Sequence, residues 1–242
     1  LARYLGPEGY GIFGVILYLT LMARSLVNRG VPQAVSKYIT EHEEQAAIIK
    51  NKGLFIQAIV SIVITIIYFG CAPLLSQLLH DSSLTPYIRL SALNVPFFGI
   101  YMIYIYCLNG KRWFGKQTMV GIVHDTLLPL VIIAAVLCGF SLNGAITGLI
   151  LTAIIGSVVG HFYCRFEHNN DLSEGFHFPA SKIINFAIPI TIFAIVTSVL
   201  LSVDLLLVKR ILKENAQAGF YSSARSLAVT PFFISIALSR SI

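Results

Sequence analysis

The sequence predicts an all-α fold, a polytopic transmembrane helical bundle, on three observations. Hydrophobic residues make up 56% of the chain and charged residues only 12%, against about 25% charged in a soluble domain. The mean hydropathy is +0.79. Between Asp125 and Arg165 no Lys, Arg, Asp or Glu occurs. That stretch is too long for one buried helix and suits a membrane hairpin, so a large soluble core is the weaker reading.

Apolar runs of about 20 residues, the length that crosses a bilayer as a helix, are centred near Tyr18, Val63, Tyr101, Pro129, Leu151, Val196 and Ala228. Leu1 to Leu5 would close one more. Gly6, Pro7, Gly9 and Gly11 then break the chain in a short turn before the first complete span. The order Arg3, Leu5, Gly, aromatic returns as Arg210, Leu212, Gly219, Phe220, Tyr221 before another apolar run, an echo that suggests two related halves. Pro96, Pro129, Pro189 and Pro231 fall inside apolar spans, where each removes a backbone bond and can kink its helix. The segment from Phe176 to Ile188 reads as an interfacial connection. It divides the chain into residues 1–175, an N-terminal transmembrane bundle, and residues 176–242, the amphipathic connection and first two helices of a second bundle. With no initial Met and no cleavable signal peptide, the chain reads as a fragment whose first helix is largely missing.

The formal net charge of +6 comes without a basic patch interleaved with aromatics, so nucleic acid is not indicated and the charge reads as topology. Arg24, Arg29, Lys37, Lys50 and Lys52 would sit in one inner loop, followed by Lys111, Arg112 and Lys116, then Arg165 and Lys182, and finally Arg240. Opposite lie Arg3, Arg89 and the cluster Lys209, Arg210, Lys213, whose side chains would snorkel to the interface. The acidic run Glu41, Glu43, Glu44 around His42 reads as a solvated inner turn. Cys71, Cys107, Cys138 and Cys164 stand singly and read as packing residues, so neither a metal site nor a cofactor is indicated. No phosphate loop or nucleophile constellation occurs, which argues against an enzyme.

Ionisable residues inside apolar spans cost about 2.5 to 3.5 kcal/mol each on the insertion scale, so they face protein or water and mark function. Arg24, His124, Asp125, Asp204 and Arg225 qualify. Arg225, about 9 Å along its helix from Gly219, follows the small residues Ser222, Ser223 and Ala224. Its planar fork suits a phosphate or diphosphate; the alternative is a structural ion pair with Asp204. Arg24 lies about 21 Å along its helix from Tyr10, near the inner end, where setting topology competes with substrate binding. His124 and Asp125 could take up a proton. Asp204 stands near an outer helix end, where an interfacial pair with Lys209 or Arg210 stands beside a role in transport through ion coupling.

LARYLGPEGYGIF followed by RGVPQAVSKYITEH resembles the start of the polysaccharide and oligosaccharide flippases of the multidrug/oligosaccharidyl-lipid/polysaccharide exporter superfamily, including the stage V sporulation protein B group. SKIINFAIPI and VDLLLVKRIL with GFYSSA resemble the start of that family's second half. The resemblance implies part of a two-bundle transporter fold around a central cavity. It also implies a multi-pass protein of the cytoplasmic membrane that flips a lipid-linked, isoprenoid-diphosphate saccharide by alternating access, with a proton or sodium as coupling ion. In the related lipid II flippases, arginines on the second and eighth helices line the cavity and are implicated in holding the lipid diphosphate; Arg24 in ARSLVNRG and Arg225 in YSSARSLAVTP match them by local pattern. Two alternatives stand beside this expectation: a small-molecule antiporter of the multidrug and toxin extrusion branch, and a membrane assembly protein without transport.

Overall fold

The structure is a computed structural model that describes residues 2–165, 178–212 and 215–239. Among these, nine α-helices follow one another: α1 (Ala2–Asn28), α2 (Gly30–Glu41), α3 (Ala46–Leu78), α4 (Thr85–Ala92), α5 (Asn94–Gly110), α6 (Phe114–Ala135), α7 (Ser141–Tyr163), α8 (Ala180–Leu212) and α9 (Asn215–Ser239). All seven predicted centres fall inside helices, and no strand is present among the described residues. Among the described residues, five helical stretches are long and apolar enough to cross a membrane, Arg3–Glu41, Glu43–Leu78, Ser82–Gly110, Phe114–Tyr163 and Ala180–Leu200. The fourth is a hairpin, as its charge-free run predicted. It folds at a π-helical turn, Val136–Phe140, where Gly139 and Ser141 take φ of 89° and 47°. A Cβ on Gly148 would lie 3.0 Å from Ile132, and one on Gly156 would lie 3.1 Å from His124, which is the register of two antiparallel helices. Lys213, Arg240 and the part of the predicted connection before Phe178 lie outside the described residues.

Breaks in the helices follow local chemistry. Gly6, placed before Pro7, adopts φ 70°, because a residue preceding proline is pushed out of the helical region and glycine accepts positive φ. α1 and α2 are a single bent rod. Pro32 lies in the first turn of α2, where backbone N–H groups have no helical partner, so a missing donor costs little. The fully buried Gln57 donates from Nε2 to Val27 O at 2.9 Å and satisfies a carbonyl at the bend. Arg24, Arg29 and Lys37, expected in an inner loop, are therefore helical or at the bend. Pro96 falls just after the break between α4 and α5, whereas Pro129 and Pro189 lie inside the uninterrupted helices α6 and α8. Pro231 falls in the part of α9 whose side chains lie outside the description.

α5 is the central element, packed on α1, α2, α3 and α7. α3 turns Ile59, Ile62, Val63, Ile66 and Ile67 outward, a surface suited to lipid. α1 and α9 pack in parallel at glycines, with reciprocal contacts. A Cβ on Gly11 would fall 1.8 Å from Asn215 O, and one on Gly219 would fall 2.4 Å from Pro7 O. Each glycine thus meets the residue one turn before the other, which is the pattern of a local two-fold. The two parts of the sequence echo meet here. At the other end Phe178, just before α8, is buried between Tyr38 and His42, with ring centroids 5.0 and 6.1 Å away.

Residues predicted on one side of the membrane come together. Lys111 donates to Glu43 O at 2.8 Å, Lys50 to Cys164 O at 3.2 Å and the Tyr38 hydroxyl to Lys182 O at 3.2 Å; all belong to predicted inner turns. Asp81 meets Lys209 at 2.9 Å, both on the predicted outer side. With native cysteines replaced, single cysteines at Glu44 and Ser82, both exposed, should therefore label with an impermeant thiol reagent from opposite sides of the membrane. Labelling from one side would contradict this order of crossings.

Candidate functional site

Three of the five ionisable residues singled out from the sequence converge across α1, α5 and α6. The Arg24 guanidinium carbon lies over the Phe98 ring, 3.3 Å from its centroid. Phe98 neighbours Tyr101 at 5.8 Å between centroids, and Tyr101 stacks on His124 at 4.4 Å with 15° between planes. His124 Nδ1 lies 2.9 Å from Asp125 Oδ1. Gly156 of α7 makes room for this stack, since a Cβ there would lie 2.9 Å from Tyr101 and 3.1 Å from His124. The His124 side chain is 7% exposed and that of Asp125 81%, so a buried imidazole backs a carboxylate that faces out of the described bundle.

Arg24 lies one turn before the bend that ends α1, and the helical rod goes on beyond it. α2 continues the rod for 12 residues, and Glu41 stands about 25 Å further along the axis. Arg24 is thus close to the middle of the Arg3–Glu41 span. Among the described residues it forms no ion pair, and its Nε is buried without a hydrogen-bond partner. Phe98 offers a cation–π contact and Asp125 acts through space, but neither supplies an acceptor to the donor fork.

Arg225 is placed differently. It donates to Asp204 Oδ1, while the Tyr221 hydroxyl donates to Asp204 Oδ2 at 2.8 Å. The guanidinium also lies 4.6 Å over the Tyr18 ring. This is the ion pair that the sequence offered as the alternative to a ligand role. Asp204 takes Arg225 rather than Lys209 or Arg210, because α9 packs beside α8 and brings Arg225 level with it. Lys209 does not snorkel. Its side chain is 1% exposed and bound to Asp81, whereas Arg210 is exposed. Tyr18 stands two turns before Arg24 on α1, about 9 Å along the axis, so the two arginine clusters occupy successive levels of that helix.

Sequence reasoning missed the aromatic members of both clusters. Phe98 and Tyr101 are three apart in NVPFFGIYMIYIY, so they share a helix face. In a segment so rich in aromatics that spacing does not stand out. Tyr18 and Tyr221 were equally hidden among apolar neighbours. Chemically, the first cluster offers a guanidinium whose Nε has no partner among the described residues, next to an imidazole–carboxylate pair. A guanidinium fork can pair with a phosphate or carboxylate, and an imidazole–carboxylate pair can hold and release a proton.

The sequence matches the family described as "Polysaccharide biosynthesis protein" over residues 1–240. The chain belongs to this family. A relative in Shigella flexneri, named "Putative O-antigen transporter", is 22% identical over 263 aligned positions that cover 100% of this chain and 59% of its own length. Another, "Stage V sporulation protein B" of Bacillus subtilis (strain 168), is 21% identical over 171 positions, covering 67% of this chain and 33% of its own length. The chain thus spans less than two thirds of these relatives. No solved structure matches. The resemblance read from LARYLGPEGYGIF and its companion segments agrees with this family, and the apolar helices make the chain a multi-pass protein of the cell membrane.

Proposed function

We propose that the full-length protein moves a lipid-linked saccharide, carried on an isoprenoid diphosphate, across the cytoplasmic membrane by alternating access between two helix bundles, the first formed by residues 1–175. The observation that carries this reading is Arg24, a guanidinium in mid-span with a buried, unpartnered Nε and no carboxylate at ion-pair distance among the described residues. A charge left so in a low-dielectric setting is costly unless a ligand completes it. A diphosphate offers paired oxygens that match the fork. The names of the relatives, an O-antigen transporter and a sporulation protein, support a saccharide cargo. The reciprocal α1–α9 contact supports two related halves.

Arg225 enters the same reading as the second arginine. It can reach a phosphate only by releasing or sharing Asp204, which makes it the weaker ligand. His124 and Asp125 are the coupling pair, with Asp125 exposed to exchange a proton or a sodium ion and His124 holding its orientation.

Charge-assisted hydrogen bonds contribute about 1.5 to 3 kcal/mol, so Arg24→Ala should weaken binding of a lipid-linked saccharide by about ten-fold or more, with Arg24→Lys a partial rescue. Arg225→Ala should lower the melting temperature, because it strips Asp204 of its partner, and should weaken binding less. The antiporter alternative predicts that a cationic dye binds the parent and binds Arg24→Ala as well or better. Unaltered saccharide binding in a folded Arg24→Ala variant would remove Arg24 from the site. In transport assays Asp125→Asn should slow the rate and flatten its pH dependence; a profile like the parent's would return the pair to a structural role.

A further inference from the structure

The outer end of the bundle carries a charged cluster that the proposed site does not use. α3 ends with His80 at φ 55° and Asp81 N donating to Ser76 O at 3.0 Å, a left-handed cap that turns the Asp81 side chain away from its own helix. Asp81 accepts from Ser83 N at 3.1 Å and Ser83 Oγ at 2.6 Å, both on Oδ1. Its Oδ2 takes Lys209 Nζ of α8 at 2.9 Å. Lys209 also donates to Asn215 Oδ1 at the start of α9, and the Asn215 carbonyl presses on Gly11 of α1. One buried ammonium, 1% exposed, thus ties α8 to the end of α3 and to the start of α9, where Asn215 meets α1. Burial raises the Asp81 carboxyl, but the hydrogen bonds of Ser83 and Lys209 and the charge of Lys209 outweigh it and hold the group below the usual range.

We propose that Asp81, Lys209 and Asn215 form a latch that closes the outer end of the bundle and must open before cargo can leave on that side. The inference rests on the alternating-access reading, whatever the cargo. A buried ion pair is poorly suited to adding net stability, because desolvation offsets its attraction. It is well suited to a contact with two states, since water entering from the outer face hydrates both partners once they part. Lys209 lies in the last turn of α8 and Asp81 on the turn joining α3 to α4, the places where two moving bundles would separate. Beneath the latch Ser222 is buried at 4% exposure against Gly14, about 10 Å inward of Asn215 along α9.

The test uses Ser222→Cys in the full-length protein with native cysteines replaced, labelled from the outer side by an impermeant thiol reagent. Lys209→Met and Asp81→Asn should each raise the labelling rate about ten-fold or more by shifting the population of opened protein. Lys209→Arg, which keeps the charge, should stay near the parent rate. Should Lys209→Met not fold, Asp81→Asn decides alone. Parent-like labelling in the folded neutral variants overturns the latch, and fast labelling in Lys209→Arg as well assigns closure to packing and overturns it too. No substrate is needed, so a failed latch is distinguishable from a wrong cargo.

Discussion

Charge inside a membrane must be compensated, and the ionisable groups of this bundle divide by how that is done. Lys209 has Asp81, Arg225 has Asp204, which also accepts from Tyr221, and His124 has Asp125. Arg24 has the face of Phe98. A cation–π contact contributes about 0.5 to 2 kcal/mol, which leaves unmet much of the insertion cost of a central arginine, about 2.5 to 3.5 kcal/mol. The Arg24 Nε is buried without an acceptor among the described residues, a donor that a ligand could complete. A diphosphate would cancel the charge and occupy the fork at once.

Close helix packing places these groups. Gly11 and Gly219 let α1 and α9 approach until backbone meets backbone, and small residues at helix contacts are how membrane helices associate without a hydrophobic drive between them. That contact carries Arg225 to Tyr18 on α1. Gly156 does the same for the Tyr101–His124 stack, and Gly30, where a Cβ would lie 2.1 Å from Thr191 Oγ1, seats the α1–α2 bend against α8. Gln57 holds the bend from the other side. Arg24 sits between these fixed points, so its position is set by backbone geometry rather than by a partner of opposite charge.

Most of the fold was legible in the sequence because long apolar runs and the charge-free stretch after Asp125 depend only on composition. The ionisable positions were legible for the same reason, as departures from an apolar background. Their pairing was not. Asp204 stands five residues from Lys209 yet pairs with Arg225 across a turn, because partner choice follows helix packing. Asp81, which nothing in the sequence singled out, is the counter-ion of Lys209. The continuation of the rod past Arg24 was hidden in RGVP, where glycine and proline weaken a helix. In the structure that proline falls in a first helical turn that tolerates it, so the rod continues to Glu41.

The most direct test of the account is a structure of the full-length protein with an isoprenoid diphosphate bound. The diphosphate should lie against Arg24, with Nε or a terminal nitrogen within about 3 Å of a phosphate oxygen. Arg24 would remain beside Phe98, and the Asp204–Arg225 pair would stay intact or share the same phosphate. A diphosphate seated away from α1, with Arg24 still stacked on Phe98 and its Nε unpartnered, would contradict it.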